Sequence, residues 1–114
     1  MIAFAVAALL ANADAGIPSA FTGVFGVSAL TFDHKCPSGN TLFVTPDSIR
    51  DALDSYAVRS AVVSGNMLTV DAVSEDEENV AITLTRTGAD TIDVSIRIEG
   101  EAASGSTAYQ ACTN

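Results

Sequence analysis

Residues 91–99 read Thr91-Ile92-Asp93-Val94-Ser95-Ile96-Arg97-Ile98-Glu99. From Ile92 onward, apolar and polar side chains alternate without a break. That pattern marks a strand with one buried face and one wet face. The same period recurs upstream. Val80, Ile82 and Leu84 fall on one face of a strand, and Leu68, Val70 and Ala72 on one face of another. Between these runs stand turn residues: Ser64-Gly65-Asn66, Ser74 to Asn79, and Thr87-Gly88-Ala89-Asp90. Turns at such close spacing make sequential antiparallel hairpins.

Working outward, Thr41-Leu42-Phe43-Val44-Thr45 is a compact strand and Tyr56 to Val63 another. Phe21 to Phe25 opens the series, with Val27 to Phe32 continuing it after Gly26, and Ala108 to Cys112 closes it. The expected fold is all-β: a small antiparallel barrel or sandwich of six to seven strands, mostly in meander order. Pairing the first strand with the last would remove exposed sheet edges. One short helix is expected near residues 46–54. Thr45 can cap it, Pro46 suits the first helical position, and Asp47 suits the positive end of the dipole.

At 114 residues the chain is sized for one domain. Residues 1–20 read as a signal peptide and 21–114 as a single β-domain. The run Ile2 to Leu10 is too short to cross a bilayer, which needs about 20 apolar residues, and matches the apolar region of a secretory signal. The usual positive charge ahead of that run is missing. Small residues at cleavage spacing place processing after Ala15 or Ala20, with Ala20 preferred. The expected location is periplasmic or secreted, with no membrane anchor in the mature form. In that compartment Cys36 and Cys112 form a disulfide.

Fourteen acidic residues oppose five basic ones, for a net charge of −9. Such a surface repels phosphate backbones and disfavours nucleic acid. It attracts basic proteins. The densest charge is Glu75-Asp76-Glu77-Glu78. Its spacing lacks the alternating ligands and central glycine of a calcium loop, so it reads as a solvated turn that can dock a basic partner. Asp47, Asp51 and Asp54 would share one face of the short helix, open to water. His34, the single histidine, sits in a polar loop with no nucleophile elbow near it in the sequence. Two cysteines and one histidine do not make a zinc site. No catalytic, cofactor-binding or metal-binding residue is assigned.

Several features together resemble the small exported β-proteins of Gram-negative bacteria. They are the apolar leader, Phe21–Gly23, Cys36, Pro46–Asp47 and the terminal Tyr109-x-x-Cys112. Within that group the chain is similar to the c-type lysozyme inhibitors, periplasmic barrels that insert a Ser-Gly-x-x-Tyr loop into a lysozyme cleft. Here Ser104-Gly105 precedes Tyr109 with one residue more between them, and the family's lysine-bearing motif is absent. The resemblance implies partner binding through Ser104, Gly105 and Tyr109. The expected function is an exported non-enzymatic binding module of the envelope, docking a basic protein such as a glycosidase. The alternative is a structural or assembly domain of the envelope.

Overall fold

A computed structural model of the chain describes residues 16–31, 35–36, 39–101 and 105–112. Eight antiparallel strands follow one another around a closed barrel. They are β1 (Gly23–Val27), β2 (Thr41–Thr45), β3 (Ser48–Arg50), β4 (Ser55–Ser64), β5 (Met67–Ser74), β6 (Asn79–Arg86), β7 (Thr91–Ile98) and β8 (Thr107–Ala111). β1 closes the barrel by pairing with β8, in the register Phe25 to Ala111, Gly26 to Gln110 and Val27 to Tyr109. The meander and the first-to-last closure are as the sequence indicates. The strand count is eight rather than six or seven, and the architecture is a barrel rather than a sandwich.

The additional strand replaces the expected helix at 46–54. Pro46 and Asp47 form a tight turn, and β3 pairs back on β2 with Ile49 opposite Val44. The capping chemistry is present but serves the turn. Thr45 Oγ1 accepts the Ser48 N–H at 3.1 Å and lies 2.8 Å from the Ser48 hydroxyl. An N-cap and a Ser/Thr turn use the same first bond, so local residues do not distinguish them. Burial does. In β3 Ile49 is fully buried, and β3 bridges β2 and β4, which would otherwise expose edges. Leu53, within the segment expected to be helical, is 88% exposed in the following loop. Residues 28–30, expected to extend the first strand, form a 3-10 turn instead.

The period-two faces point where the alternation places them. Leu68, Val70, Ala72, Val80, Ile82, Leu84, Ile92 and Val94 are all buried in one interior cluster with Phe25, Leu42, Val44 and Tyr56. Ile96 and Ile98 pack against its edge. An eight-stranded barrel has an interior just wide enough for side chains to fill it. β4 keeps its apolar residues inside by a bulge. Its register slips between Val58 and Ser60, so Val58 and Ala61, three apart, both reach the core. Arg59, the extra residue, meets Asp71 at 3.3 Å and also hydrogen-bonds Asn79. That ion pair is exposed and contributes little stability.

The disulfide Cys36–Cys112 is formed, with Cα atoms 5.3 Å apart. It ties the β1–β2 loop to the residue that follows β8. Cys112 also donates its backbone N–H to the Val24 carbonyl at 3.0 Å, which extends the seam by one rung.

Two stability outcomes follow from this packing. Ile82→Ala should lower the unfolding free energy in urea by about 2–5 kcal/mol, the range for deleting a buried aliphatic side chain. Cys112→Ser should lower the melting temperature by well over 5 °C. The bridge closes a loop of 76 residues, worth about 4–5 kcal/mol in the chain-entropy model, and about 1 kcal/mol shifts a domain this size by about 4–8 °C.

Candidate functional site

A meander sends alternate loops to opposite ends of the barrel. The β3–β4, β5–β6 and β7–β8 loops therefore share one end. Those three loops hold Asp51 and Asp54, Glu75 to Glu78, and Glu99 and Glu101. Eight of the chain's fourteen carboxylates thus sit at one mouth. Arg50 and Arg97 stand on the adjoining outer walls, Arg50 stacked over the Phe43 ring at 4.8 Å. The expected set Asp47, Asp51 and Asp54 does not form one face. Asp47 lies in the β2–β3 turn at the opposite end, separated from Asp51 by the length of β3.

Local bonds fix the acidic loops. Asp51 Oδ1 accepts the backbone N–H groups of Leu53 and Asp54, at 2.8 and 2.7 Å. This Asx-type turn leaves Leu53 at the tip. In the β5–β6 turn, Ser74 accepts the Glu77 N–H on its carbonyl at 2.9 Å and the Glu78 N–H on its hydroxyl at 3.1 Å. Glu77 is the only non-glycine residue among those described with positive φ, at 64°. A glycine there would avoid about 1–2 kcal/mol of backbone strain. All four residues of Glu75–Glu78 are exposed.

Between these loops lies an open groove of about 360 Å³. Leu53, Asp54, Glu75, Asp76 and Glu78 flank it, and Tyr56, Val80 and Ile98 form its floor. Tyr56 is buried, and its phenol is pushed up to about 12. Burial is the main cause, followed by the charges of Asp54 and Asp51, a hydrogen bond to Asp54, and the Glu78 charge. Tyr109 is also raised, by burial and then by Asp51. The acidic mouth therefore has apolar, uncharged groups beneath a ring of carboxylates.

The residues singled out from sequence do not all converge. Glu75, Asp76, Glu77 and Glu78 are at the acidic mouth. Gly105 is exposed in the β7–β8 loop at the same end. Tyr109 faces the interior from β8 and packs against the core. Ser104 and His34 lie outside the described residues. Among the described residues, no group of three or more His, Cys, Asp or Glu side chains is placed to hold a metal ion. Sequence reading did not find Asp51, Asp54, Glu99 and Glu101 as members of one site, because they are brought together only by the topology.

The opposite end is capped by chain. Residues 16–22 cross it and insert Ile17 and Phe21 into the core. A shallow groove of about 740 Å³ lies beside this cap, lined by Phe21, Val63, Asn66, Arg86 and Gly88 among others, with Arg86 its one charged residue. The two ends therefore differ sharply in charge.

The class this architecture defines is a small closed meander barrel with one disulfide. No family model matches the chain, and no curated protein or solved structure does either.

The tyrosines provide a direct check of the acidic mouth. They are the chain's only two. Absorbance titration should show both ionising above pH 10, one of them near 12. Both folded values lie above the unfolded value of about 10. Their contribution to stability is therefore complete below pH 10 and is lost as pH rises toward 12. A tyrosine titrating at its ordinary value would place it outside this environment.

Proposed function

We propose that this chain is an exported, non-enzymatic binding module of the bacterial envelope that docks a basic protein through its acidic mouth. The observation that carries the reading is the concentration of eight carboxylates on three loops at one end of the barrel. Such a field speeds encounter with a cationic partner and turns away anionic ones. The groove beneath it adds exposed apolar area at Leu53 and a floor that includes Tyr56. A cationic side chain with a long aliphatic stem matches that combination, charge outside and methylenes within. A basic glycosidase is one partner of this kind, and Gly105 on the same end would lie at its edge.

Glu77 supports the same reading. Its strained backbone is retained where glycine would be cheaper, as occurs at sites where a side chain is needed for function.

The oxidised domain, immobilised and exposed to an envelope extract, should capture a basic protein at low salt and release it at high salt. Replacing Glu75, Asp76, Glu77 and Glu78 with lysine should abolish capture. The single change Glu77→Gly should weaken capture while leaving the melting temperature equal or higher. Absence of capture at both salt levels would contradict the proposal.

A further inference from the structure

We infer that the chain is processed between Ala15 and Gly16, so that the mature domain begins at Gly16 and keeps residues 16–20. This rests on the export reading. Two small-x-small stretches, Ala13-Asp14-Ala15 and Pro18-Ser19-Ala20, end in alanines that a membrane-bound signal peptidase could accept. The packed domain separates them. Ile17 is 2% exposed and belongs to the core cluster. Its N–H donates to the Pro46 carbonyl at 2.9 Å, which fastens the cap to the β2–β3 turn.

Cleavage after Ala20 would remove Ile17 and that bond. It would also place a new ammonium group on Phe21. Phe21 is 3% exposed, and its backbone nitrogen donates to the Pro18 carbonyl at 3.0 Å. That cleavage would remove Pro18, the partner of the Phe21 N–H, together with the segment that covers the Phe21 ring.

Cleavage after Ala15 leaves the cap whole. Water adds across the Ala15–Gly16 amide, the C–N bond breaks, and the products are a carboxylate on Ala15 and an ammonium on Gly16. Gly16 lies at the rim, half-buried, where an ammonium can be hydrated. A side chain on Gly16 in the continuous chain would place its first carbon 2.1 Å from the Pro46 carbonyl oxygen, so residue 16 already lies against the β2–β3 turn.

The test is expression of the full chain in a Gram-negative host, followed by N-terminal sequencing and intact mass of the periplasmic product. The expected product starts at Gly16. A product starting at Phe21 would overturn the assignment and leave the export reading standing. Full-length chain retained in the cytoplasm would overturn both. In the same host, Ala15→Gln should accumulate precursor, while Ala20→Gln, at an exposed position, should be processed normally. The reverse pattern would place the cleavage after Ala20.

Discussion

The pairing of β1 with β8 is the constraint on which the rest depends. Without it the eight strands are an open curled sheet with two edges, each a row of unpaired N–H and C=O groups. With it the interior becomes a sealed layer in which Phe25, Tyr109 and Ala111 join the residues of β5 to β7. The contact is between the first strand and the last, so its loop-closure entropy is the largest in the fold. The disulfide offsets that cost at the same place, since Cys112 extends β8 and Cys36 belongs to the loop that leaves β1.

Closure also determines the charge distribution. In a closed up-and-down barrel the short loops between successive strands are assigned to alternate ends by parity. Acidic residues written into the β3–β4, β5–β6 and β7–β8 loops must meet, although they span residues 51 to 101 in sequence. The other end receives the N-terminal cap and turns with few charges. A modest sequence bias thereby becomes a polar molecule, one end anionic and the other apolar and plugged by Ile17 and Phe21. Leu53 and Tyr56 then acquire a setting that neither has in the linear chain.

Much of this was legible in the residues, and the failures have physical causes. The strict alternation at Ile92 to Ile98, and at Val80 to Leu84, identifies strands because only a pleated sheet gives that period. The 46–54 segment misleads because Thr-Pro-Asp-Ser suits a helix start and a tight turn equally, and the deciding term is burial of Ile49 against strands distant in sequence. The bulge at Arg59 breaks the period in β4, so Val58 and Ala61 do not announce a shared face. Glu75 to Glu78 stand out as a run. Asp51, Asp54, Glu99 and Glu101 do not, because their proximity exists only after closure. Ile17 reads as part of a leader and is a core residue, since small-residue spacing carries no information about packing.

Native-state hydrogen exchange across the β1–β8 seam tests closure most directly. The amides at the seam, including that of Cys112, which donates to the Val24 carbonyl, should be protected to the same free energy as those of β5 and β6, because opening the seam means unfolding the barrel. Seam amides that exchange orders of magnitude faster than the β5–β6 ladder, in the oxidised protein, would show an open sheet, and the gathered acidic mouth would lose its basis.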